Sequence, residues 1–177
     1  KNRIRTFRRN LPLRRGNLKK ITIICVGRIK EDFYRKAVLE YEKRLGRYCK
    51  LEIIEVQDEK TPDDAGVVLE EQIREKEAAR ILKHIKEDAY IITLEIKGDS
   101  PDSVSFANRL NHLAVQGKSH LQFIIGGSLG LHESVSKAAH WAVSFSNMTF
   151  PHQLMRVILL EQIYRAYKII KREPYHK

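Results

Sequence analysis

Few stretches of this chain combine residue types and spacing that chemistry requires. A strand-like run, Leu121–Ile125, feeds into Gly126-Gly127-Ser128-Leu129-Gly130, and a short helical segment follows. Glycines at such a junction let a ligand approach the backbone, and the N–H groups that open the next helix are free to meet it. The loop is neither G-x-G-x-x-G nor a Walker A loop, so it reads equally as a ligand cradle or as a plain glycine turn. The seven histidines (84, 112, 120, 132, 140, 152 and 176) show no H-E-x-x-H or equivalent spacing, so no metal site is expected. His84, His112, His120 and His140 read most simply as surface or satisfied residues. His152 follows Pro151 in a loop, and His176 follows Tyr175 near the terminus, positions where sites concentrate. No Ser-His-Asp arrangement stands out, nor any carboxylate pair within the solvated charge of residues 55–88.

Elements of alternating type must position these residues. Ile21–Val26 is a β-branched run closed by Gly27 and predicts a buried strand. Phe33, Tyr34, Ala37, Val38, Tyr41 and Leu45 recur at helical spacing and predict a helix over 31–45, stopped by Gly46. Strands are predicted at Leu51–Val56, Ala89–Ile96, Leu121–Ile125 and Ala142–Phe145. Helices are predicted at Val68–Ile85, from Ser100-Pro101 to about Val115, at Glu133–His140 and at Gln153–Lys171. Ser100 is expected to cap the third of these five helices, with Pro101 at its first position. Strands alternating with helices predict an α/β fold, a mostly parallel sheet with helices on both faces.

The last helix is apolar almost all round, from Leu154 and Met155 to Ile169 and Ile170. Such a helix must be buried all round, which in a small domain calls for a second copy, so a homodimer is expected, with a central core helix of the monomer as the alternative. Glu161 and Arg165, four apart, can pair. No apolar run approaches the roughly 18 residues of a membrane-spanning helix. Cys25 and Cys49 form no metal or redox spacing and fit a reducing, cytoplasmic setting. The formal charge of +11 is concentrated at one end: residues 1–20 hold nine basic groups and no acid, and residues 21–177 carry a net of only +2. The first 17 residues read as an extension, non-native or disordered, with a phosphate-binding arm and a transit peptide as alternatives. Residues 18–177 read as one domain.

Taken together, four segments carry a resemblance. They are the strand ending in Val26-Gly27, the strand end Thr93-Leu94-Glu95, the Ile125-Gly126-Gly127 loop, and the C-terminal third. That third reads Phe-Ser-Asn-Met-Thr-Phe-Pro-His-Gln from Phe145 to Gln153, then Arg156-Val157, Glu161-Gln162, Tyr164-Arg165-Ala166 and a final Pro174-Tyr175-His176. Residues 21–177 resemble the RlmH (YbeA-type) family of SPOUT methyltransferases. The resemblance implies a deep trefoil knot near the C-terminus and a homodimer. It implies S-adenosylmethionine (SAM) as methyl donor, held at Leu94, at Gly126 and across Phe145, Ser146, Asn147, Met148, Thr149 and Phe150. It implies methylation of N3 of the pseudouridine at position 1915 of 23S rRNA, in helix 69 of the assembled 70S ribosome. Within that reading His176 is the expected general base, Tyr175 can stack on the target base, and His152 is a substrate contact. Arg156 is expected to hold a phosphate or the deprotonated base. Residues 152–177 carry a net of +4, which suits an RNA partner. A non-catalytic ribosome-binding protein and a phosphometabolite enzyme are the competing readings. Intact cofactor loops weigh against the first, and Glu133 just after the glycine loop weighs against the second.

Overall fold

The protein is described by a computed structural model, over residues 18–176. Five parallel strands form one sheet in the order β2-β1-β4-β3-β5. They are β1 (Lys20–Val26), β2 (Lys50–Val56), β3 (Tyr90–Asp99), β4 (His120–Ile125) and β5 (Trp141–Val143), alternating with α1 (Asp32–Leu45), α2 (Val67–Leu82), α3 (Ser103–Val115), α4 (Glu133–Ala138) and α5 (His152–Lys171). Ile23 of β1 lies between Ile53 of β2 and Phe123 of β4. Period-two alternation divides the core. Ile21, Ile23 and Cys25 meet Val38, Phe106, Leu110, Leu159 and Ile163 on the face of α1, α3 and α5. Ile24 and Val26 meet Ala78, Ile81 and Val135 on the face of α2 and α4. Helices on both faces explain why β1 and β4 are buried along almost their whole length rather than on alternate residues.

Several boundaries differ from the sequence-based expectation for physical reasons. The third strand does not stop at Ile96 but runs on to Asp99. Gly98 permits this, because a Cβ there would lie 2.7 Å from the Ala142 carbonyl carbon on neighbouring β5. The register shifts between Leu94 and Asp99, and Ser144 N–H donates to the Asp99 carbonyl at 2.7 Å. The third helix begins at Ser103, not Ser100: the Asp102 carboxylate caps it by accepting from Ser105 N–H at 2.6 Å. That contact holds the Asp102 carboxyl below its ordinary range. The second helix ends at Leu82 and the fourth at Ala138. The last strand ends at Val143, which leaves Phe145 outside the sheet. Expectations about residues 1–17 lie outside the described residues.

Candidate functional site

Beyond the carboxyl ends of β3, β4 and β5 lies a cleft of about 910 Å³. Open α/β sheets bind ligands at this end, and the size is that of a small-molecule site. Leu94 on β3, Gly126 after β4, and Phe145, Ser146, Met148, Thr149 and Phe150 after β5 line it; the expected neighbour Asn147 does not and is exposed. The structure therefore brings seven of the eight expected donor-binding residues around one space. The last loop has its own internal supports. Ser144 Oγ donates to the Ser146 carbonyl at 3.0 Å, and Ser146 Oγ accepts from Met148 N–H at 2.9 Å.

The glycine loop closes tightly on itself. A Cβ on Gly126 would sit 2.9 Å from the Gly130 carbonyl carbon, and one on Gly127 would sit 3.0 Å from a Glu77 carboxylate oxygen and a Val26 methyl. Gly130 adopts φ of 78°. Packing within the loop requires Gly126, packing against α2 and β1 requires Gly127, and the positive φ favours glycine at 130; the same backbone forms a wall of the cleft. The segment is a glycine turn and a cleft wall at once.

The four expected substrate-side residues fall into two groups. His152 opens α5 at the cleft wall. Its Cε1 is 3.2 Å from where a Cβ on Gly27 would lie, and its Nδ1 is buried without a hydrogen-bond partner. Burial, then the neighbouring Arg156 cation, pushes the imidazole below its ordinary value near 6.5; Asp58 opposes this. His120 is also lowered, mainly by burial. A histidine lowered in the folded state stays neutral while the unfolded chain protonates. Its stabilising contribution is complete above about pH 6.5 and is lost as pH falls through the window below it. We predict that thermal stability declines on acidification from pH 7 to 5 and that His152→Gln flattens this decline. An unchanged slope in the variant would contradict the assignment.

Arg156 is not placed to meet a ligand. Its side chain is 1% exposed. It donates to Glu55 Oε1 at 2.5 Å, to the Val26 carbonyl at 3.0 Å and to the Gly27 carbonyl at 2.5 Å. The positive φ of Gly27 (82°) accompanies a turn whose carbonyls face the interior, where a donor must be supplied. The expectation of a phosphate or base contact at Arg156 is corrected accordingly: this residue ties α5 to β1 and β2 beneath His152. Glu55, read from sequence as ordinary solvated charge, is its partner.

Tyr175 and His176 lie elsewhere on the same chain. Tyr175 OH donates to Glu161 Oε1 at 3.1 Å, and its ring packs edge-on against Tyr164 with Arg165 above it. Burial, then Glu161, pushes the phenol up to about 12. His176 Nδ1 is 3.3 Å from Arg165 Nη1, and Arg165 pairs with Glu161. Thirteen residues of helix separate His152 from Arg165, about 20 Å at 1.5 Å per residue. One chain therefore does not bring Tyr175 and His176 to its own cleft. Glu95, Lys97 and Arg74 also line the cleft and were not singled out from sequence. Strand alternation, which puts Glu95 on the same face as Thr93, could have indicated the first. Among the described residues no group of three or more His, Cys, Asp or Glu could hold a metal, and no helix is long and apolar enough to cross a membrane.

Known proteins supply further context. A family model described as "Predicted SPOUT methyltransferase" matches residues 19–176. A protein of Bifidobacterium adolescentis named ribosomal RNA large subunit methyltransferase H is 60% identical over 158 residues, 89% of this chain and 99% of that protein. Its namesake from Bifidobacterium animalis subsp. lactis is 56% identical over 157 residues, with the same shares. The crystal structure of a protein described as a probable methyltransferase from Bordetella pertussis Tohama I superposes with a TM-score of 0.54 at 13% identity. That match covers 85% of this chain and 97% of the other, and supports the fold alone.

Proposed function

This chain belongs to the SPOUT methyltransferase family, and on that premise we propose that it transfers a methyl group from SAM to N3 of a pseudouridine in large-subunit rRNA. The observation that carries the reading is the cleft: one strand position, Leu94, and two separate loops, at Gly126 and 145–150, converge on one space of small-molecule size at the sheet's carboxyl ends. The names of the relatives at 56–60% identity support rRNA of the large subunit as substrate. The finer assignment is the pseudouridine at position 1915 of 23S rRNA, in helix 69 on the assembled 70S ribosome.

The residues present fit the donor. The cleft has mainly aliphatic and aromatic walls for an adenine ring, backbone at Gly126 that a ligand can approach closely, and a buried His152 Nδ1 still lacking a partner. Bound SAM supplies a methyl already activated by its sulfonium. What remains for the protein is to align N3 with the methyl carbon and to remove the N3 proton, which is weakly acidic at neutral pH. His176 accepts that proton, Tyr175 stacks on the base, and His152 holds the substrate side of the cleft.

These roles require two copies. No residue of α5 from His152 to Ile170 is fully exposed, yet Leu154, Met155, Val157, Ile158, Tyr164, Ile169 and Ile170 remain only half-buried. A homodimer packed through this helix buries them further and delivers Tyr175 and His176 of one copy to the cleft of the other. Such a dimer also doubles the net +4 of residues 152–177. The test is complementation. In a bacterium deleted for its own relative, expressing this chain should restore N3-methylpseudouridine in 23S rRNA, read by mass spectrometry of a ribonuclease digest. Abundant expression with an unmodified rRNA would overturn the substrate assignment.

A further inference from the structure

The methyl-transfer step as derived does not use the carboxylate of Glu95. This side chain is half-buried and lines the cleft beside Leu94. Both of its oxygens are oriented by hydroxyls. Thr93 Oγ1, itself fully buried, donates to Oε1 at 2.6 Å, and Ser136 Oγ of α4 donates to Oε2 at 3.1 Å. Among the described residues it forms no ion pair, and Arg74, which also lines the cleft, is paired with Glu70 and Glu71 of its own helix. A carboxylate oxygen can accept two hydrogen bonds, so each keeps capacity for one more donor. Two adjacent acceptors held in a fixed plane match two adjacent hydroxyl donors, and acidic residues commonly hold ribose hydroxyls in nucleotide cofactor sites.

We propose that Glu95 recognises the vicinal ribose hydroxyls of the methyl donor and sets the cleft's preference for a ribonucleoside. The inference rests on the SAM reading above. Thr93 and Ser136 act through Glu95 as positioning residues, since neither needs to touch the donor.

Calorimetry on the full chain tests this with S-adenosylhomocysteine, its 2′-deoxy analogue and 5′-methylthioadenosine. The unsubstituted chain should prefer the ribo form over the 2′-deoxy form by about tenfold, the scale of one hydrogen bond to a charged group. Glu95→Gln turns one acceptor into a donor. It should lose most of that preference and bind S-adenosylhomocysteine and methylthioadenosine equally less well, by about tenfold, with an unchanged melting temperature. Thr93→Val keeps the charge and the buried volume and should weaken binding only several-fold. Unaltered affinities in Glu95→Gln would overturn the inference. So would a loss confined to S-adenosylhomocysteine, because methylthioadenosine lacks the ammonium group and that pattern assigns Glu95 to it. Binding of none of the three by the unsubstituted chain would overturn the donor reading itself, and this inference with it.

Discussion

Replacing Arg156 by methionine is expected to destabilise the fold by about 3 kcal/mol. The side chain is 1% exposed and three acceptors depend on it: Glu55 Oε1 and the carbonyls of Val26 and Gly27. Methionine fills much of the volume but donates nothing. Each buried carbonyl left without a donor costs about 1–3 kcal/mol. Glu55 is one-third exposed and recovers part of its hydration, which keeps the total near the lower end of the range for broken buried pairs. In a domain of this size the melting temperature should fall by about 6–12 °C. Glu55→Gln should cost only about 1 kcal/mol, because its amide oxygen still accepts from Arg156 and Ile29 N–H. An Arg156→Met variant within about 1 kcal/mol of the parent, by denaturant titration, would contradict the strut.

His176→Ala is expected to slow methyl transfer by about 10²- to 10⁴-fold while leaving SAM affinity unchanged, the signature of a lost proton acceptor. The separation of readouts follows from the roles proposed above, in which His176 reaches the partner's cleft on the substrate side and meets the N3 proton rather than the donor. Donor affinity, in the same proposal, rests on Leu94, Gly126 and residues 145–150. Removing Tyr175 OH by Tyr175→Phe should act more mildly, because the ring stays on Tyr164 and Arg165 while only the bond to Glu161 is lost. Full turnover in His176→Ala with normal SAM binding would remove the base assignment.

The parallel α/β architecture was readable because its strands and helices obey different periods. Ile21–Val26 and Leu121–Ile125 are runs broken by one polar residue each, Thr22 and Gln122, and are too apolar on both alternating faces for half-buried strands. The misplaced boundaries share one cause, tertiary contact overriding local signals. Lys97-Gly98-Asp99 has the composition of a turn, but Gly98 is there so that two strands can approach. Ser100-Pro101 has the composition of a helix start, but Asp102 supplies the capping oxygen. The convergence of Leu94, Gly126 and residues 145–150 on one cleft was legible only through motif resemblance, since nothing in residue spacing says that they meet. Arg156 was misplaced because an arginine on an apolar helix looks functional from sequence, and its partners lie more than 100 positions away. The order of elements along the chain likewise does not record which loop threads another, so the expected knot could come only from resemblance.

Transfer of labelled methyl from SAM to assembled 70S ribosomes, free 50S subunits and naked 23S rRNA lacking pseudouridine tests the central claim most directly. Incorporation is expected on 70S alone, at one nucleotide in helix 69, and is abolished when that nucleotide is left as uridine. Incorporation into naked unmodified rRNA, or at another site, would contradict the substrate. No incorporation on any of the three, with SAM still bound, would make this chain a ribosome-binding protein without turnover.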